Sequence, residues 1–256
     1  MGFFFREKKT PPPCSSFGDA VEAYNRWAWQ HINNNQNSPT NQLSISADPS
    51  SPQATAIMHA ALEYEMGIVE QLLKTIQEKN VPGAIIEFGV FKGDNLKCII
   101  DICDKILLQR DIYGFDSFEG LPAVHPDHDL QCWHKGQYVA DFHSVEKRLN
   151  ADKRHNINII QGWFKDSLAQ EQALCIKEVA YARIDCDLYQ PAVECLEYLT
   201  SRLVDNSILV FDDWTYDLNK GETKAFVEWK ERNKQFQFDF IFYGVMGHLY
   251  MRVTRN

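Results

Sequence analysis

Ala84-Ile85-Ile86-Glu87-Phe88-Gly89-Val90-Phe91-Lys92-Gly93 begins as a short apolar run and ends in Glu-x-Gly-x-x-x-Gly, and Asn95-Leu96-Lys97-Cys98-Ile99-Ile100 follows with helical character. A buried strand, a glycine-bent loop and a helix account for that pattern. Gly89 and Gly93 carry no Cβ, so the backbone there can turn sharply and approach a ligand closely. Glu87, at the strand's carboxyl end, points into the crevice where α/β sheets bind nucleosides. Taken alone, an ordinary strand-to-helix turn with two permissive glycines satisfies the same residues. The flanking segments decide between these readings.

Upstream, Ile57, Ala61, Tyr64, Ile68, Leu72 and Ile76 recur at spacings of three and four and predict a helix from Gln53 to Lys79, stopped by Asn80-Val81-Pro82-Gly83. Downstream the pattern alternates. A helix runs through Leu108, a strand covers Asp111 to Phe115, and a long loop spans 122–145. Strands at Asn156 to Ile160 and Val179 to Ile184, a helix at Ala192 to Leu203 and a strand at Ser207 to Phe211 follow. Strands separated by helices imply an α/β fold with a mostly parallel sheet and ligands at the strands' carboxyl ends. The order then changes: a helix with Phe226, Val227 and Trp229 precedes strands at Phe236 to Phe242 and His248 to Val253, close enough to pair as an antiparallel hairpin.

Residues 1–52 read as an N-terminal extension and 53–256 as the folded domain. The extension holds Pro11-Pro12-Pro13, the polar run Asn33 to Asn37 and Ser50-Ser51-Pro52, poor material for a core. It is expected to be irregular apart from one short amphipathic helix between Phe17 and Ile32, which would cover the domain or meet another subunit of a homo-oligomer. A chain of 256 residues with 45% hydrophobic content can bury one large core. The net charge of -9 and the lack of a Lys/Arg run argue against a nucleic-acid partner. Seven irregularly spaced cysteines and an apolar N-terminal stretch too short for a signal peptide favour a reducing, cytoplasmic setting with no membrane partner. Cys132, His128 and His134 lack the close Cys-x-x-Cys pair that seeds a zinc cage, so zinc is not expected.

The strand ends carry the chemistry. Asp116 stands 29 positions after Glu87, followed by Ser117, where an acid can accept hydrogen bonds from ribose hydroxyls. That spacing is long for a dinucleotide fingerprint, and Gly89-x-x-x-Gly93 is not Gly-x-Gly-x-x-Gly, so a nucleoside without pyrophosphate fits better. Two later strands end in Asp185-Cys186-Asp187 and Asp212-Asp213. If those strands are neighbours, four carboxylates meet at one rim and repel one another unless protonated, solvated or neutralised by a cation. A hard divalent ion is the economical answer, Mg²⁺ before Ca²⁺. The plainer alternative for Asp212-Asp213 is a solvated strand end that caps a helix.

Glu87 to Gly93, Gly114-Phe-Asp-Ser-Phe-Glu-Gly-Leu-Pro122, Gly162-Trp-Phe-Lys-Asp-Ser-Leu168, Arg183-Ile-Asp-Cys-Asp-Leu-Tyr189 and Phe211-Asp-Asp-Trp214 together resemble the motif series of the macrocin O-methyltransferase family over roughly residues 53 to 253. The resemblance implies a class I methyltransferase fold, Rossmann-like, with seven strands and dependence on S-adenosylmethionine and Mg²⁺. By position it implies that Glu87, Gly89 and Gly93 line the methionine end of the cofactor and that Asp116 and Ser117 lie at the ribose. Asp185, Asp212 and Asp213 would hold the metal. The family carries glycine and serine after the second loop glycine, where this chain has Asp94-Asn95.

The expected reaction is methyl transfer to a hydroxyl of a small molecule, with a sugar on a glycosylated natural product as the family's acceptor. An ion on the three aspartates would act as Lewis acid and template, and Asp187 or His134 would take the proton. The loop over 122–145 would serve as a lid. Asp185-Cys186-Asp187 is also an Asp-x-Asp, the metal element of some glycosyltransferases, and a scaffold that binds cofactor without turnover is the other alternative.

Overall fold

The computed structural model describes residues 52–215, 217–243 and 247–256. The expectations for residues 1–51, the helix near Phe17 to Ile32 included, lie outside the described residues. The unit that carries the sheet is His59–Asn256. Its elements run α1 (Pro52–Glu78), β1 (Ala84–Phe88), α2 (Asp94–Lys105), β2 (Ile112–Asp116), α3 (Phe142–Arg148) and β3 (Ile157–Gln161). After these come α4 (Phe164–Ser167), α5 (Glu171–Cys175), β4 (Val179–Ile184), α6 (Tyr189–Leu199), β5 (Leu203–Phe211), α7 (Gly221–Arg232), β6 (Phe236–Tyr243) and β7 (Leu249–Arg255).

The seven strands form one sheet in the order β3-β2-β1-β4-β5-β7-β6. β1 to β5 pair in parallel, so their carboxyl ends share one edge, while β7 joins β5 and β6 antiparallel. Alternation of side chains packs the two faces separately. Ile85, Tyr181, Ile208, Val210 and Tyr250 pack in one core with Val69, Leu72, Leu73 and Ile76 of α1 and Leu96, Ile99, Ile100 and Cys103 of α2. On the other face Phe88 stacks on Phe115 at 5.6 Å and meets Tyr198 of α6 edge-on. Phe211 meets Phe226 of α7 edge-on at 5.1 Å. No helix among the described residues is long and apolar enough to cross a membrane.

Four sequence expectations shift. Among the described side chains of α1 the buried ones are Glu65, Val69, Leu72, Leu73 and Ile76: Leu72 and Ile76 of the apolar spacing are buried, whereas Glu65 and Val69 take the inward places expected of Tyr64 and Ile68, and Tyr64 is 63% exposed. Glu65 is drawn inward because Tyr250 and His248 hydrogen-bond to it. α6 begins at Tyr189 instead of Ala192 because Pro191 sits in the first turn, where a missing N–H costs nothing. Leu203, expected in that helix, opens β5, whose alternation is interrupted at Asp205-Asn206, where Asn206 takes φ 67 and the pairing with β4 shifts register. The expected loop over 122–145 also gives up its end to α3, capped by Asp141, whose Oδ1 accepts from Ser144 N at 2.8 Å.

Candidate active site

At the end of β1 the glycine loop packs against the end of β4 too closely for a side chain. Gly89 has φ 88, and a Cβ there would lie 1.6 Å from the Asp185 carbonyl oxygen. Gly93, φ 78, caps α2. Glu87 is buried with its Oε1 accepting from Asn95 Nδ2 at 2.5 Å, so the departure from the family pattern supplies a direct partner to this acid. Glu87 Oε2 is buried without a hydrogen-bond partner among the described residues. Burial pushes this carboxyl up to about 8, against the pull of Arg183. An orphan acceptor beside the glycine loop fits a ligand that brings a donor, as the amino group of S-adenosylmethionine does.

Asp116 is committed to the loop. Its Oδ2 accepts from Val90 N at 2.8 Å and Phe91 N at 2.7 Å, and its Oδ1 from Phe118 N at 2.6 Å. A carboxylate has about four acceptor sites, so one is left for a ligand hydroxyl. Ser117 closes its own turn, accepting from Glu119 N at 3.1 Å and donating to Gly120 O at 3.3 Å.

The second half of the site follows from the pairing of β4 with β5. Ile184 and Phe211 are register partners, so Asp185 and Asp212 leave the sheet side by side. One carboxylate oxygen from each of Asp185, Asp212 and Asp213 lies within 4.8 Å of the others. Three convergent oxygens suit a hard cation such as Mg²⁺. Asp187, buried and left-handed at φ 63, lies beside the Asp213 carboxyl. Burial, then Asp185, pushes Asp187 up to about 7. Burial also raises Asp213, reinforced by Glu222 and Asp187, and raises Asp185 against the pull of Arg183. All three shifts have one physical source, negative charge held away from water without enough counter-charge.

Sequence reading gave no role to the residues behind the rim. Arg183, 4% exposed, ion-pairs with Asp212, reaches Asp185 Oδ2 at 3.5 Å from Nε, and has Glu87 Oε1 at 3.9 Å. His248 bridges Glu65 and Asp212, its Nδ1 2.6 Å from Glu65 Oε1 and its Nε2 3.2 Å from Asp212 Oδ1. Their signal was present: an arginine inside the apolar strand Val179–Ile184, and a glutamate in phase with Val69 and Leu73 on a helix. Such charges are buried only when paired.

The loop over 122–141 lies along the same rim. Asp129, 2% exposed, accepts from His125 N and from Tyr189 N, both at 2.7 Å, which ties the loop to the start of α6. Tyr138, φ 67, meets Phe91 of the glycine loop, φ 48, edge-on at 5.3 Å, and Trp133 lies 6.1 Å from Tyr138 with its Nε1 buried and unpartnered. Burial raises the Tyr138 hydroxyl, and Asp187 adds to the rise. His134 is exposed, and among the described residues no hydrogen bond or ion pair joins its ring to the carboxylates. The structure therefore brings Asp185, Asp187, Asp212 and Asp213 together and places Glu87 and the glycines beside them.

A seven-stranded sheet in this order, its last strands antiparallel and its glycine loop following the first strand, is the class I methyltransferase fold. Its likeness to solved structures bears this out: the O-methyltransferase NovP at a TM-score of 0.64 with 22% identity, over 75% of this chain and 80% of that one, and the calicheamicin methyltransferase CalS11 at 0.60 with 18% identity, over 98% of each. The model of the macrocin-O-methyltransferase (TylF) family matches residues 19–241, and the chain belongs to that family. Among curated relatives, the 8-demethyl-8-(2,3-dimethoxy-alpha-L-rhamnosyl)-tetracenomycin-C 4'-O-methyltransferase of Streptomyces olivaceus is 27% identical over 165 residues, 58% of this chain and 59% of that protein. The demethyldecarbamoylnovobiocin O-methyltransferase of Streptomyces niveus is 26% identical over 162 residues, 57% of this chain and 58% of that protein. The matched regions thus span less than two thirds of the length of these curated relatives.

Proposed function

We propose that this chain is an S-adenosylmethionine-dependent O-methyltransferase that acts on a sugar hydroxyl of a glycosylated small molecule with Mg²⁺ at its carboxylate rim. The observation that carries the reading is the adjacency of two half-sites at one sheet edge: a glycine loop with the orphan Glu87 Oε2, and three carboxylate oxygens within 4.8 Å beside it. Bound there, S-adenosylmethionine supplies an electrophilic methyl group, and Mg²⁺ on Asp185, Asp212 and Asp213 supplies Lewis acidity that lowers the pKa of an acceptor hydroxyl. Glu87 accepts from the cofactor's amino end, and Asp116 keeps the loop Gly89–Gly93 shaped while offering its last acceptor site to the ribose.

Asp187 is the better base of the two candidates. It is buried beside Asp213 and raised to about 7, in the range where a carboxylate takes a proton near neutral pH. His134 faces solvent and makes no hydrogen bond or ion pair through its ring to the carboxylates among the described residues. Phe91, Tyr138 and Trp133 make an aromatic corner next to the acids, a surface on which the apolar face of a sugar or its aglycone stacks, and Trp133 Nε1 brings an unused donor. The acceptor class rests on the relatives, whose names specify a rhamnosyl tetracenomycin and a novobiocin precursor.

The test is transfer of a labelled methyl group from S-adenosylmethionine to a panel of glycosides, with Mg²⁺ or with EDTA. Transfer to a sugar hydroxyl that EDTA abolishes is expected. Transfer that survives EDTA would remove the metal. Failure to bind S-adenosylhomocysteine would remove the reading altogether.

A further inference from the structure

The first turn of α7 is where three loops of the site meet. Glu222 there is fully buried, and its carboxylate serves both loops that carry the rim aspartates. Oε1 accepts from Cys186 N at 2.8 Å and from Asp187 N at 3.2 Å, and Oε2 accepts from Asp213 N at 3.2 Å. The next residue, Thr223, accepts through Oγ1 from Thr215 N at 2.8 Å. On its other side the turn holds the loop over 122–141: Gly221 N donates to His128 O at 2.8 Å, and Lys220 Nζ to Asp127 O at 3.0 Å.

An acid is an expensive filling for that position. Asp185, Asp187 and Asp213 already crowd the rim, and a further buried carboxylate adds to their repulsion. An apolar side chain would avoid that cost if packing were all that was required. The backbone supplies the reason for an acid. Cys186, Asp187 and Asp213 lie beyond the ends of β4 and β5, where the sheet no longer takes their N–H groups, and the acceptor found for each is Glu222. Asp187 is also held at φ 63, a conformation a non-glycine residue keeps only when its surroundings enforce it.

We infer that Glu222 is a positioning residue for the reaction: one carboxylate, bonded to the backbone under Asp187 and Asp213, fixes the base and the third metal ligand relative to Asp185 and Asp212. The inference rests on the reading of the rim as a metal and base site, but its geometry does not depend on a cation. Glu222→Gln keeps the volume and one acceptor oxygen, enough for Cys186 and Asp187, while its amide NH₂ opposes the Asp213 N–H. Glu222→Ala leaves all three donors unpaired.

Hydrogen exchange followed by peptide, with calorimetric titration of Mg²⁺ and of S-adenosylhomocysteine, tests it on the full chain. In Glu222→Ala, exchange over 185–188 and 212–214 should rise about tenfold or more, the scale expected for buried donors left unpaired. Glu222→Gln should show the rise mainly over 212–214. Both variants should bind Mg²⁺ more weakly and S-adenosylhomocysteine within about twofold of wild type, a change within the error of an untouched site. Unchanged exchange in the two segments would overturn the inference, as would a rise spread over the whole sheet with cofactor affinity lost in step. Should Glu222→Ala fail to fold, Glu222→Gln carries the same measurements. A wild type that binds no Mg²⁺ would remove the metal reading, and the exchange pattern would still decide the role of Glu222.

Discussion

Arg183 and Glu87 are register partners on adjacent parallel strands, and the Arg183 guanidinium Nε stands 3.9 Å from Glu87 Oε1. The same guanidinium pairs with Asp212 and Asp185, so a single buried cation faces both Glu87 and the rim aspartates. Arg183→Met should therefore cost on the order of 3–5 kcal/mol in EDTA, the usual penalty for stripping a buried charge of its partner. Mg²⁺ should recover much of that loss, since a divalent ion supplies the missing positive charge. Denaturant unfolding of both proteins with Mg²⁺ and with EDTA reads the difference. An equal loss under both conditions would mean that Arg183 does not neutralise the rim.

Glu87 predicts a pH dependence with a definite sign. Burial raises its pKa from 4.5 to about 8, so between those values the folded chain binds a proton that the unfolded chain has released. Stability from this group falls as pH rises through that window. A ligand ammonium that fills the place beside Oε2 favours the ionised form, so cofactor binding should release a proton, and affinity should climb by up to about tenfold per pH unit below the folded pKa. Calorimetry with S-adenosylhomocysteine at several pH values, for wild type and Glu87→Gln, checks this. A wild-type affinity flat with pH would place Glu87 outside the cofactor site.

How far the sequence could be read depended on the kind of signal each residue carries. Strands β1, β2, β4 and the final pair were legible because each is a bounded apolar or alternating run, and their ends announced the acids. Asp185 and Asp212 could be joined only on the condition that β4 and β5 are neighbours, which no local pattern states and the sheet supplies. The short helices α3, α4 and α5 were missed because they have too few turns for periodicity to register, although Asp141 before Ser144 was a readable cap. Glu222, Arg183 and His248 escaped for a different reason: each acts through partners far away in the chain, and a lone charge in a sequence does not name its partner.

Asp116 should behave as a loop residue first. With three backbone N–H groups on its carboxylate, Asp116→Ala frees the glycine loop and should cost roughly 2–4 kcal/mol of stability, given about 1.5–3 for a hydrogen bond to a charged group and incomplete additivity. Affinity for S-adenosylhomocysteine should fall with it, while Mg²⁺ binding, at other strand ends, should hold. Thermal melts alongside both titrations would expose a purely ribose-binding role, which predicts weaker cofactor binding at an unchanged melting temperature.

The loop over 122–141 should not move as one body. Asp129 and Lys220 pin His125 to Asp129 to the rim, and Gly136 and Gln137 are anchored by backbone hydrogen bonds with Leu121, whereas 131–135 between these anchors is held mainly by its own turn. Hydrogen exchange should show 125–129 protected without ligands and 131–135 gaining protection only when cofactor and acceptor are bound. Equal protection of 131–135 in both states would rule out a lid there.

The metal carries the last prediction. Asp213→Asn keeps the shape and removes one negative charge from a group whose carboxylate oxygen lies within 4.8 Å of those of Asp185 and Asp212. If that oxygen is a ligand, Mg²⁺ affinity and turnover should fall together, by about tenfold or more for the loss of a charged oxygen donor, while S-adenosylhomocysteine still binds at β1 and β2. In EDTA the variant should melt no lower than wild type, because burial, Glu222 and Asp187 all work against a negative charge on Asp213. A structural role for Asp213 reverses both signs: the variant melts lower without metal, and chelation leaves the wild-type rate intact. Activity and melting temperature of the two proteins, each with Mg²⁺ and with EDTA, separate the cases, and a wild-type rate that resists EDTA would end the metal-assisted mechanism.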